Sequence, residues 1–129
     1  MSYWVDLVLK DKARSIGFLF AWNGLKTVVK TEKNFQFHLI ATAIAIFFGF
    51  VFKLNGVEWS LILLVVGLVL VAEMINTVVE RMIDYIKPDL HPQAGMIKDM
   101  AAGSVLVAAF IAVIIGCIIY LPKVYTLIT

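Results

Sequence analysis

The sequence predicts an all-α integral membrane protein, with three transmembrane helices preceded by an N-terminal amphipathic interfacial helix. Three observations lead there. The 129 residues are 62% hydrophobic and 16% charged, against about 45–50% and 25% in soluble domains. Mean hydropathy is +0.96, a value that so short a soluble chain, with its large surface to cover, does not reach. The charges are also confined to the stretches between long apolar runs. Such hydrophobicity excludes disorder. A net charge of +2 spread along the chain is no footprint for a nucleic acid.

The whole chain, 1–129, is expected to form one membrane domain. Residues 1–34 make the interfacial element. Trp4, Leu7 and Val8, then Phe18, Trp22, Leu25 and Val29, recur every three or four residues with lysines between them. A helix of that pattern lies in the headgroup plane, apolar side toward the acyl chains. Gly17 and Gly24 weaken it locally and mark where it could break in two. With Asp6 and no basic start, the first ten residues do not resemble a cleavable signal peptide.

The first span is placed at 35–57. Leu39–Phe52 is uncharged for 14 residues and reaches spanning length by including Phe35, Phe37 and Lys53, whose ammonium can snorkel to the interface. An Asn55-Gly56 pair signals the turn that follows. The second span, 59–80, opens on Trp59, an interfacial anchor by type. Its uncharged part ends at Ala72 after 14 residues, so the helix has to continue through Glu73, Asn76 and Glu80. Pro88 and Pro92 then stop it near Ile86. The third span, 100–122, has 23 residues without a charge and small residues where another helix can approach. Cys117 lies within it and reads as a small buried hydrophobe.

Lysine and arginine set the orientation. Nine of the 11 basic residues fall in 1–38 and 81–99, while Lys53 and Lys123 are the other two. By the positive-inside rule the N-terminus and the 81–99 loop are cytoplasmic and the C-terminus is external, giving a multi-pass protein of the cell membrane.

A carboxylate in the middle of a span costs about 2.5–3.5 kcal/mol on insertion scales, so Glu73 invites a functional reading. Glu73, Asn76 and Glu80 follow an i, i+3, i+7 spacing and fall within about 60° of one another on a helix. One reading is a polar seam that glues helices in a non-catalytic assembly subunit. The other is chemical. Carboxylates with an amide oxygen suit Mg²⁺, Lys98 with Arg14 or Lys26 can neutralise polyphosphate, and a carboxylate set apart from the metal can take a proton from a hydroxyl. Phosphoryl transfer from a nucleotide needs that combination, although no glycine-rich phosphate loop is present.

The stretches Ala21-Trp-Asn-Gly-Leu-Lys26, Glu32-Lys-Asn-Phe-Gln-Phe-His38, Ala72-Glu-Met-Ile-Asn-Thr-Val-Val-Glu80, Asp84 and Lys98-Asp-Met-Ala-Ala-Gly103 resemble the signature segments of the prokaryotic diacylglycerol kinase family. The likeness runs in order over almost the whole chain. It is greatest to the Gram-positive branch of undecaprenol kinases, through the 32–38 run and His91-Pro92. Gram-negative members carry Glu where this chain has His38, so His38 is left outside the expected active set.

The resemblance implies an ATP- and Mg²⁺-dependent lipid kinase. It acts on undecaprenol or, alternatively, on diacylglycerol, and works as a homo-oligomer, a trimer with sites built from more than one subunit. It also implies Glu73 as general base, steadied by Asn76, and Glu32 and Glu80 as Mg²⁺ ligands. Lys98, Asp99 and Arg14 fall at the nucleotide and phosphate end. Asn34 reads as an ordinary interfacial polar residue, and Asp84 as a solvated helix end.

Overall fold

A computed structural model describes residues 5–6, 9–10, 17–86 and 91–129. It contains four long helices: α1 (Phe18–Thr31), α2 (Lys33–Val51), α3 (Gly56–Ile86) and α4 (Pro92–Ile128). The chain divides into two compact units, 1–32 and 33–129. The architecture is all-α, and α2, α3 and α4 are each long and apolar enough to cross a bilayer. Arg14, Lys87 and Pro88 lie outside the described residues.

In the first unit, α1 opens on Gly17 as N-cap. Phe18 and Trp22, one turn apart, stack with ring centroids 6.4 Å apart, and both are exposed. Gly24, a candidate break, sits inside continuous helix, because one glycine costs only about 1 kcal/mol there. The helix ends where Glu32 turns extended (φ −107°, ψ 110°) and its N–H bonds back to the Val28 carbonyl.

In the second unit, α2 and α4 both pack on α3. The α2–α3 turn shows how the sequence fixes an entry angle. Leu54 N–H donates to the Gly49 carbonyl (3.1 Å) and Lys53 N–H to that of Phe50 (3.3 Å), while Lys53 has φ +54°. This is a Schellman ending with lysine in the left-handed position usually given to glycine. Gly56, which the Asn-Gly signal put in the turn, is instead the first residue of α3. Asn55 and Glu58 cap that helix reciprocally: Glu58 N–H donates to Asn55 Oδ1 (2.8 Å) and Asn55 N–H to Glu58 Oε1 (3.1 Å). Each donor satisfied here would otherwise be left open at the helix start.

Leu54, Ile62 and Ile119 form the buried core beside this turn, with Trp59 and Tyr120 against them. Tyr120 Oη donates to the Ala45 carbonyl at 2.6 Å, tying α4 to α2. A Cβ at Gly49 would lie 2.5 Å from the Trp59 ring, so only glycine fits there. Glu58 and Lys123 close this end with an ion pair of 3.2 Å.

At the other end α3 stops at Ile86. His91 caps α4, its Nδ1 accepting from Gln93 N–H at 3.1 Å, with Pro92 at the first helical position, where its missing N–H costs nothing. Helix α4 therefore adds two charged turns before the apolar run. Cys117 is exposed rather than buried. On a transmembrane helix the outward face meets acyl chains or a neighbouring helix, so an apolar run does not mark the inside.

Candidate functional site

The sequence puts Glu73, Asn76 and Glu80 on one face of α3, and that face is turned inward. Among the described residues the buried polar side chains are Glu73, Asn76 and Thr77, at 3–5% exposure. With Glu80 and, from α2, Asn34 and His38, they line a cleft of about 330 Å³ whose α4 wall is Ala102, Val105, Leu106 and Ala109. The small α4 side chains leave the room, and the carboxylates supply its polarity.

Asn76 Nδ2 donates to Glu80 Oε1 at 3.2 Å, one helical turn apart. Asn76 Oδ1 is buried with no hydrogen-bond partner. An orphan amide oxygen beside a carboxylate is costly unless something outside the chain satisfies it. Both are hard oxygen donors of the kind Mg²⁺ takes, alongside water and phosphate oxygens. The residues here fit that ion, although no cluster of three His, Cys, Asp or Glu side chains forms among the described residues. Glu73 lies two turns away, roughly 10 Å along the axis from Glu80, which leaves it clear of a metal held at Glu80.

His38 faces Glu73, its Nε2 3.7 Å from Glu73 Oε2. Sequence reasoning left His38 aside. The available signal was its four-residue spacing from Asn34, which places both on one face of α2; nothing in one helix's pattern says which face its neighbour meets. His38 also lines a second cavity of about 310 Å³, walled by Ala41, Ala45, Val69 and Ala112 among others. The polar cleft thus opens onto apolar space with His38 at the junction.

Of the remaining expected residues, Glu32 is the half-buried extended residue that ends the first unit. Lys98 is paired, Nζ to Asp84 Oδ1 at 2.8 Å, in a contact whose Asp84 side chain is 63% exposed. Asp84 is therefore the partner of Lys98 rather than only a solvated helix end. Asp99 is exposed on the same turn of α4. Arg14 falls outside the described residues.

Comparison with known proteins adds the family. The model described as prokaryotic diacylglycerol kinase matches residues 19–120. An undecaprenol kinase of Bacillus subtilis is 42% identical over 106 residues, covering 82% of this chain and 86% of its own. A diacylglycerol kinase of Synechocystis is 32% identical over 113 residues, 87% of this chain and 65% of the relative. One from Escherichia coli K12 is 29% identical over 100 residues, covering 78% and 82%.

Proposed function

This chain belongs to the prokaryotic diacylglycerol kinase family and is a lipid kinase, and on that footing we propose that it transfers the γ-phosphoryl group of ATP to the terminal hydroxyl of undecaprenol, giving undecaprenyl phosphate. The observation that carries the substrate is the 42% identity to an undecaprenol kinase over 82% of the chain. Diacylglycerol is the second reading, favoured by the relatives of that activity at 32% and 29%. Both substrates present a primary alcohol on a long apolar tail, and a polar cleft that opens into apolar space suits either.

In the proposed mechanism Glu73 is the general base. Its carboxylate accepts the hydroxyl proton as the alcohol oxygen attacks phosphorus, a contribution of about 10²–10⁴-fold. Burial puts it where a tail held in lipid can bring the hydroxyl, which a loop carboxylate could not reach. Glu80 and Glu32 would hold Mg²⁺, and Asn76 holds the Glu80 carboxylate in place from one turn away. Bound Mg²⁺ would neutralise charge on the transferring phosphate. Lys98, with Arg14, takes the polyphosphate, and Asp99 belongs to the nucleotide end. Exposed ion pairs are worth about 0–1 kcal/mol, so Asp84 releases Lys98 cheaply.

The oriented protein has its N-terminus and the 81–99 loop in the cytoplasm, supported by the nine-to-two split of basic residues. It works as a homotrimer. A cleft with buried carboxylates in a unit of only three helices is better sheltered when neighbouring protomers complete it.

Purified protein given ATP, Mg²⁺ and either undecaprenol or dioleoylglycerol in mixed micelles tests the substrate. A kcat/KM at least ~10-fold higher for undecaprenol is expected, equivalent to about 1.4 kcal/mol in transition-state binding. Preference for dioleoylglycerol would reverse the assignment.

A further inference from the structure

We propose that His38 is a positioning residue for Glu73: its imidazole fixes one oxygen of the buried carboxylate and so aims the other at the lipid hydroxyl. The inference rests on the reading of Glu73 as the base.

Glu73 is almost fully enclosed, its side chain 5% exposed, and it faces a His38 ring that is 18% exposed. A carboxylate withdrawn from water needs donors, and a glutamate has three side-chain torsions to restrain before its oxygens point one way. The Nε2 to Oε2 distance of 3.7 Å is just beyond hydrogen-bond length, and catalytic contacts of this kind tighten when a site is loaded. The ring itself is held on a rigid element. Phe37 packs edge-on against it, with ring centroids 5.6 Å apart, and Thr42 Oγ1 bonds the His38 carbonyl at 2.8 Å one turn on.

Its location is equally telling. His38 lines both the polar cleft and the apolar cavity beside it, so an alcohol whose tail occupies the cavity brings its O–H past the imidazole to reach Glu73. Among the described residues that line the cleft, α3 contributes the carboxylates of Glu73 and Glu80, while α4 contributes Ala102, Val105, Leu106 and Ala109, none of them charged. The imidazole is therefore the donor that the neighbouring transmembrane helices set toward the acyl-chain side of Glu73.

The test uses the full chain in mixed micelles with undecaprenol and dioleoylglycerol, comparing His38→Leu, His38→Asn, His38→Gln, Glu73→Gln and the double variant His38→Leu with Glu73→Gln. Leucine removes the donor, and asparagine keeps polarity but stops short of Glu73. Both should lower kcat by about 10–100-fold, the scale of a misplaced reacting group, with KM for MgATP within about two-fold of the parent. Glutamine reaches as far as imidazole and carries an N–H, so it should recover most of the loss. On the Glu73→Gln background, His38→Leu should have no further effect. Parental kcat in the Leu and Asn variants would overturn the proposal, as would equal loss in Gln and Leu, or losses that multiply in the double variant. Should Glu73→Gln itself turn over normally, it is the base assignment that fails. Because Asn and Gln are both polar, the pair decides the question even if leucine impairs folding.

Discussion

At the Glu58 end of the three-helix unit, polar groups are tied off in pairs. Asn55 and Glu58 cap reciprocally, Glu58 also holds Lys123, and the Tyr120 hydroxyl is spent on the Ala45 carbonyl. Around them Leu54, Ile62 and Ile119 are buried, and Trp59 fills the space over Gly49. At the Glu80 end the same helix α3 buries Glu73 and Asn76 beside an open cleft, leaves Asn76 Oδ1 without a partner, and sets His38 just short of hydrogen-bond contact. One end satisfies its own polar atoms and so stabilises the bundle. The other keeps polar atoms unsatisfied in a low-dielectric setting, which costs stability but lets a ligand supply the missing contacts. Substitutions at the two ends should therefore separate into different observables.

The largest expected effect is at the open end. Glu80→Gln should raise the Mg²⁺ concentration for half-maximal turnover by about 10- to 100-fold, the range for disturbing a group that holds or orients a metal ligand, with little change in thermal unfolding. Activity titrated against Mg²⁺ reads it. Gly49→Val tests the closed end. The new side chain meets the Trp59 ring and should destabilise by about 1–3 kcal/mol through overpacking, while turnover per folded protein stays parental. Tyr120→Phe loses one hydrogen bond between α4 and α2 and should cost about 1 kcal/mol, again with turnover intact. The smallest effect is a gain. Lys53→Gly relieves about 1–2 kcal/mol of left-handed backbone cost, offset by about 0.4–1 kcal/mol of added freedom in the unfolded chain, for a net stabilisation of roughly 0.5 kcal/mol. Unfolding in detergent measures all three.

The sequence makes some of this legible and hides the rest for a physical reason. Three spans follow from apolar length, the stop at Ile86 from two prolines, and the start of α4 from His91-Pro92. The inward face of α3 is legible as well, since a polar stripe on an apolar helix cannot point at lipid without cost. What stays hidden is everything that depends on how one helix is rotated against another. His38 meets Glu73 across 35 positions, Lys98 meets Asp84 across 14, and Tyr120 meets Ala45 across 75; no single-helix period encodes those pairings. The turn at Lys53 shows a local limit too. Asn55-Gly56 is a turn signal by composition, yet the Asn55–Glu58 capping box draws Gly56 into α3 and leaves Lys53 to adopt the positive φ.

The central claim is that burial of Glu73 serves chemistry and not assembly, and one substitution tests it. Glu73→Gln keeps the shape and most of the hydrogen bonding of the side chain while removing the basic oxygen and the cost of a buried charge. Thermal unfolding, MgATP binding and lipid phosphorylation should be measured on one preparation of the variant. The expected result is a protein folded and assembled at least as stably as the parent, binding MgATP normally, with turnover down by at least ~10²-fold. Near-parental turnover, or altered assembly without a specific loss of phosphoryl transfer, would contradict the account.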